Sequence, residues 1–135
     1  MEQKTRKKIL IIEDNQPFIR ILKTTLNAQG YEIACAENGM EGVKMTHKLM
    51  PDLVILDLML PVLDGHKVCR LLKYDQRVSH IPVVILTSRD LEEDADLAKK
   101  NGADAFVVKT THKNVLLDVI DRLISRSMKS KSDQK

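Results

Sequence analysis

Four short apolar runs punctuate the chain, and each stops at a polar residue. Ile9-Leu10-Ile11-Ile12 runs into Glu13-Asp14, and Leu53-Val54-Ile55-Leu56 into Asp57. Val83-Val84-Ile85-Leu86 runs into Thr87-Ser88, and Phe106-Val107-Val108 into Lys109. Continuous runs rich in β-branched residues predict strands covered on both faces, the pattern of a parallel sheet. The runs starting at Ile9, Leu53 and Val83 read as the central strands. A fifth segment, Tyr31 to Ala36, mixes polar with apolar positions as an edge strand does.

The stretches between the runs carry helical spacing. Asn15 is placed to cap a helix that tolerates Pro17 in its first turn, with Phe18, Ile21, Leu22 and Leu26 on one stripe and Gly30 as its stop. Asn38 with Glu41 resembles a capping box ahead of Met40, Val43 and His47, and Pro51 closes that helix. A loop from Leu58 to Gly65 holds both Pro61 and Gly65. The third helix turns Val68, Leu71 and Leu72 inward and fades by Tyr74.

Asp90 and Glu93 form a second candidate capping box. Glu92 to Asp94 load that fourth helix's start with acid, Lys99 and Lys100 its end with base, and Gly102 terminates it. Leu91, Ala95, Leu97 and Ala98 give it the thinnest apolar face in the chain, so it is the element most easily shifted. Thr110 or Thr111 is positioned to cap a last helix bearing Leu116, Val119, Ile120, Leu123 and Ile124. Periodicity is lost from Ser125 onward, which predicts one domain over 1–125 and a frayed, basic polar tail over 126–135. Strands alternating with helices give an α/β fold, a doubly wound parallel sheet with helices on both faces.

Composition narrows the class. A chain of 135 residues with 43% hydrophobic and 30% charged residues is long enough for one packed core. No apolar run is long enough to span a bilayer, and the basic N-terminus lacks the apolar stretch of a signal peptide, so the expected location is cytoplasmic. The net charge of +3 is uneven: residues 1–8 and 125–135 each hold four basic residues and one acid, which leaves the body at −3. No aromatic residues interleave with the basic ends, so they read as solubilising, with no direct nucleic-acid binding expected. Cys35 and Cys69 read as packed thiols, and His47, His66, His80 and His112 share no ligand-like spacing.

In open α/β sheets, ligands bind beyond the carboxyl ends of the strands. The run ends therefore bring two or three acids, a hydroxyl and an ammonium to one edge of one domain. An acidic pair after a strand is by itself most often a helix-start signal, and a lone lysine a solvated charge. Joint occurrence at four strand ends makes a site. Glu13, Asp14 and Asp57 would crowd three negative charges, which calls for a cation, and Mg²⁺ suits oxygen ligands beside a phosphoryl group.

With Ile12-Glu13-Asp14-Asn15, Asp57 followed by Pro61 and Gly65, Thr87-Ser88 and Phe106-Val107-Val108-Lys109 in this order, the chain resembles the receiver domain of two-component response regulators, of the stand-alone chemotaxis-regulator type. The likeness covers about residues 7–125. It implies a flavodoxin-like three-layer sandwich with strand order 2-1-3-4-5. It also implies that Asp57 accepts a phosphoryl group from a sensor histidine kinase or histidine phosphotransfer protein. Mg²⁺ would be held by Asp14, Asp57 and the Met59 backbone carbonyl, with Glu13 acting through water. Lys109 would pair with Asp57 at rest and with the phosphoryl group afterwards, and Thr87 would bond another phosphoryl oxygen. Thr87 and Phe106 would be the switch residues, remodelling the face of the fourth helix, fifth strand and fifth helix for a downstream target protein. The chain would be a regulator, not an enzyme beyond chemistry on itself, and a monomer or a phosphorylation-linked dimer without membrane insertion.

Departures from the family pattern are as informative. The family lysine is usually followed by a proline in a cis peptide, and here Thr110 stands in its place. A cis bond before a non-proline residue costs about 3–4 kcal/mol, so a trans Lys109–Thr110 bond is expected. Phe106 lacks the hydroxyl of the common tyrosine. Met59 cannot orient an attacking water, and Arg89 is placed to shield the phosphoryl group, so slow self-hydrolysis is expected. A flavodoxin-like cofactor binder would carry a Gly/Ser/Thr-rich loop after the first strand, and an aspartyl phosphohydrolase a second acid where Met59 stands. The remaining alternative is a phosphorylation-independent interaction module of the same fold. About ten polar residues after 125 cannot fold an effector domain, which favours a stand-alone regulator acting through protein contacts.

Overall fold

Alternate residues of each central strand face opposite ways, and both sets are buried. In the computed structural model, which describes residues 6–133 and side chains as far as Met128, Leu10, Ile12, Val54, Leu56, Val83 and Ile85 line one face of the sheet. Ile9, Ile11, Leu53, Ile55, Val84 and Leu86 line the other. This two-sided burial explains why the runs are continuous and not alternating.

The strands are β1 (Lys8–Ile12), β2 (Glu32–Ala36), β3 (Leu53–Leu56), β4 (Val83–Thr87) and β5 (Ala105–Val108). They form one five-stranded parallel sheet in the order β2-β1-β3-β4-β5. The helices are α1 (Gln16–Ala28), α2 (Gly39–Leu49), α3 (Gly65–Lys73), α4 (Glu92–Lys100) and α5 (Lys113–Asp133). α2, α3 and α4 cover the first face through residues such as Val43, Val68, Leu72 and Ala98. α1 and α5 cover the second through Leu22, Leu26, Leu116, Ile120 and Leu123. The result is a three-layer, flavodoxin-like sandwich with β2 at one edge, as its mixed pattern implied. No helix among the described residues is long and apolar enough to cross a membrane.

Capping follows the sequence in two helices. The Asn15 side chain accepts from the Phe18 amide at 3.0 Å, and that of Asn38 from the Glu41 amide at 2.8 Å. Elsewhere the pattern misplaces faces and caps. α1 buries Ile19 in place of Ile21, and α3 buries Cys69 while Leu71 is exposed. α2 buries Gly39, Gly42 and Thr46, whereas Met40 is exposed. α4 starts behind Leu91 with no side-chain cap, so the Asp90–Glu93 box does not form. α5 starts later than expected: His112 Nδ1, not Thr110 or Thr111, accepts from the Asn114 amide at 3.1 Å. α5 also continues past Ser125 to Asp133, because no Gly or Pro interrupts it and its Arg, Met and Lys residues favour helix. Met1 to Thr5, which carry one of the four N-terminal basic residues, Lys4, lie outside the described residues. Both cysteines are free, and burial pushes the Cys69 thiol up to about 11, so it is packed and unreactive.

Candidate functional site

β1 and β3 are adjacent, while their following helices α1 and α3 leave to opposite faces, which opens a crevice at their carboxyl ends. The backbone fixes what reaches it. The Asp57 amide donates to Ile12 O at 3.1 Å, the Glu13 amide to Ala36 O at 3.0 Å and the Lys109 amide to Thr87 O at 2.8 Å. Each polar residue thus leaves its strand in register with a neighbour.

Glu13, Asp14 and Asp57 each offer a carboxylate oxygen within 4.8 Å of the others. Glu13 and Asp57 are buried at 2% and 5% exposure, and Asp14 is exposed. Their oxygens are not equally free. Glu13 Oε2 accepts the amides of Asp14 and Asn15, both at 3.0 Å, and Oε1 lies 2.6 Å from Lys109 Nζ. Asp14 has no side-chain partner among the described residues. Asp57 has a long contact from the Met59 amide at 3.4 Å and Lys109 at 3.6 Å. The open carboxylates are therefore those of Asp14 and Asp57. An all-oxygen set with one exposed member fits a hard divalent cation such as Mg²⁺, with Glu13 already engaged.

Lys109 keeps its expected resting partner, Asp57, at 3.6 Å and gains a second, Glu13. It sits nearer Glu13 than Asp57, and its ammonium stands 4.3 Å from the Phe18 ring centroid. The longer Glu13 side chain reaches across where a shorter acid would leave the ammonium to Asp57. Burial raises the Glu13 pKa above its ordinary value, Lys109 and the Asn15 amide oppose that rise, and the nearby Asp57 charge adds to it. Phe18 acts as a floor for the lysine, a role its place on an apolar helical stripe did not reveal.

Thr87 is fully buried at the end of β4, and its Oγ1 accepts from the Arg89 amide at 3.3 Å. Phe106, opposite Ile85 in the ladder, is half-buried against the α2–α4 side of the sheet. The Met59 side chain is 54% exposed. The Lys109–Thr110 bond is trans, as are all peptide bonds described, and Lys109 still reaches the acids. Gly65, read from the sequence as a loop residue and as part of the motif behind Asp57, proves to be a contact: a Cβ there would lie 2.2 Å from the Asp57 carbonyl oxygen and 2.5 Å from Leu58 Cα. Among the histidines, His47 meets Asp75 at 3.2 Å, His66 meets Asp94 at 3.0 Å and His112 caps α5.

The model of the response regulator receiver domain family matches residues 9–121. The transcriptional regulatory protein AfsQ1 of Streptomyces coelicolor is 34% identical over 125 residues, covering 93% of this chain and 54% of that protein. This chain thus spans about half the length of that curated relative. The signal receiver domain of a signal transduction histidine kinase from Syntrophus aciditrophicus has a TM-score of 0.82 at 35% identity, covering 88% of this chain and 90% of that one. The BeF3-activated N-terminal receiver domain of Klebsiella pneumoniae RstA has a TM-score of 0.82 at 30% identity, covering 87% of this chain and 98% of that one.

Proposed function

Because this chain belongs to the response regulator receiver domain family, we propose that it is the phosphoacceptor of a histidine-to-aspartate phosphorelay, with Asp57 as the acceptor. The observation that carries this reading is the buried Asp57 carboxylate at the carboxyl end of β3, flanked by two more acids and an ammonium. An Asp57 oxygen attacks the phosphorus of a phosphohistidine, the P–N bond breaks, its electron pair returns to the imidazole, and an acyl phosphate remains. Asp14, Asp57 and the Met59 carbonyl would hold Mg²⁺, with Glu13 acting through water. When bound, the ion neutralises the acids and the incoming phosphoryl oxygens. Lys109 exchanges Glu13 for a phosphoryl oxygen, and Thr87 turns its hydroxyl from the Arg89 amide to another.

Those exchanges free the β4–α4 connection. Phe106 then turns further inward, and the α4–β5–α5 face changes shape for a downstream target protein. The added charge of about −1.5 to −2 supplies the bias between the two arrangements. Such a protein works in the cytoplasm, with a sensor histidine kinase or a phosphotransfer protein upstream. A phosphorylation-independent interaction module fits less well, since the trans Lys109–Thr110 bond leaves the lysine within reach of the acids. Incubation with a phosphorylated histidine phosphotransfer protein tests the relay: the label is expected to pass to this chain. Hydrogen exchange tests the switch. Changes concentrated in α4, β5 and α5 support it, and a uniform response removes it.

Two further outcomes are expected at this site. Asp57→Asn relieves like-charge crowding, so it raises the urea midpoint of the metal-free protein. It also removes the Mg²⁺-dependent stabilisation, which in the unsubstituted protein reaches about 1.4 kcal/mol at ten times Kd. A midpoint that responds to Mg²⁺ equally in both proteins places the ion elsewhere. Met59→Asn supplies an amide able to orient water, and should shorten the phosphoryl lifetime about tenfold, or about 1.4 kcal/mol. An unchanged lifetime removes Met59 as the cause of slow self-hydrolysis.

A further inference from the structure

Asp94 is a carboxylate on the packed face of a helix. It is 6% exposed, and Ala98 is the other buried residue of α4. A buried charge is costly unless it is paired. Arg89 grips it with two hydrogen bonds, Nε at 2.6 Å and one terminal nitrogen at 2.9 Å, and His66 Nε2 from α3 lies 3.0 Å from Oδ1. Arg89 first, and His66 second, hold the Asp94 carboxyl below the usual range. Arg89 lies two residues beyond Thr87. Its amide donates to Thr87 Oγ1 at 3.3 Å, while its guanidinium is 43% exposed at the side chain, and Arg89 lines one cavity together with Met59, two residues beyond Asp57. One residue is therefore tied by its backbone to the buried hydroxyl at the site and by its side chain to α4.

We infer that Asp94 is a positioning residue: it holds Arg89 on α4 while Asp57 is a free carboxylate and yields it to the phosphoryl group once Asp57 is phosphorylated. The inference rests on the phosphoacceptor reading of Asp57. A phosphoryl group carries more charge than one carboxylate and offers three acceptor oxygens, and a guanidinium fork fits either partner. When Thr87 turns its hydroxyl toward the phosphoryl group, the Arg89 amide loses its acceptor and the loop is free to follow. Transfer of the guanidinium leaves Asp94 with His66 alone. A helix with so little apolar burial then repacks. The competition between Asp94 and the phosphoryl group for one arginine links the phosphoryl lifetime to the position of α4.

The test is a double-mutant comparison of phosphoryl lifetime, read as loss of the mass adduct, in this 135-residue chain. Asp94→Asn keeps the shape and the contact with His66 but weakens the hold on Arg89. It is expected to lengthen the lifetime about threefold, the scale of a partly exposed ion pair. Arg89→Ala is expected to shorten the lifetime, and Arg89→Ala with Asp94→Asn to match Arg89→Ala alone. A change on Asp94→Asn that persists at the same size without Arg89 marks a merely structural role and overturns the inference, as does an unchanged lifetime. Hydrogen exchange gives a second reading without altering Asp94. Phosphorylation should accelerate exchange across α4, and Arg89→Ala should do so in the unphosphorylated protein; no acceleration in either case overturns the inference. If the unsubstituted protein takes up no phosphoryl group, the phosphoacceptor reading falls and this one with it. An adduct with a lifetime indifferent to Asp94 removes this one alone.

Discussion

Lys109→Met is expected to slow phosphoryl uptake by Asp57 about 10²-fold, the usual cost of deleting one fixed donor from a site where charge develops. The ammonium is fixed from several sides: Glu13 at 2.6 Å, Asp57 at 3.6 Å and the Phe18 ring at 4.3 Å to its centroid. A group so held has no search to make when a phosphoryl oxygen arrives. Methionine retains most of the stem's packing and removes only the charge, so the loss reads the ammonium and not the fold. The comparison is the rate of adduct formation with acetyl phosphate and saturating Mg²⁺; a rate within threefold of the unsubstituted protein contradicts the role.

The same substitution has a pH signature. Burial already raises the Glu13 pKa, and Lys109 offsets part of that rise. Without the ammonium, the folded-state pKa climbs further above the unfolded value. A raised folded pKa contributes stability below the unfolded pKa that is lost as pH rises through the folded one. In metal-free urea titrations, the deficit of Lys109→Met against the unsubstituted protein should therefore grow from acidic to neutral pH. A deficit that grows as pH falls has the wrong sign for this account.

Gly65→Ala is expected to destabilise the protein by at least about 3 kcal/mol, the upper range for overpacking a tight contact. The added methyl meets the Asp57 carbonyl oxygen at 2.2 Å and Leu58 Cα at 2.5 Å. Both are backbone atoms tied into the sheet edge, because the Asp57 amide is bonded to Ile12 O and the Gly65 amide to Leu58 O at 2.9 Å. Relief requires moving either α3 or Asp57 itself, so phosphoryl uptake should fall together with stability. Urea denaturation gives the first quantity. A loss below about 1 kcal/mol would mean that α3 tilts away freely, against the packing of Val68, Cys69 and Leu72.

The strands and the acids at their ends were legible because two-sided burial writes a strand as an unbroken apolar run, and the residue that ends the run is the one reaching the crevice. Helix faces were less so. α2 lays backbone against the sheet: a Cβ at Gly42 would stand 2.6 Å from the Ile12 side chain, so its inner face is small and polar to the eye while Met40 is outside. Asp94 read as an acid favourable to a helix start and proved to be a buried partner of Arg89, in the connection just before α4, and of His66 on α3, contacts that helical periodicity does not encode. The floor beneath Lys109 and the contact at Gly65 are of the same kind. Each depends on how closely two elements approach, which residue type alone does not set. The later start of α5 follows from His112 supplying an acceptor that Thr110 and Thr111 were expected to provide.

Intact-mass spectrometry after incubation with acetyl phosphate and Mg²⁺ tests the central claim most directly, with Asp57→Ala and metal-free protein run alongside. One added phosphoryl group, lost in both controls, is the predicted result. No adduct on the unsubstituted protein, or an adduct that survives Asp57→Ala, contradicts the assignment of Asp57 as the phosphoacceptor.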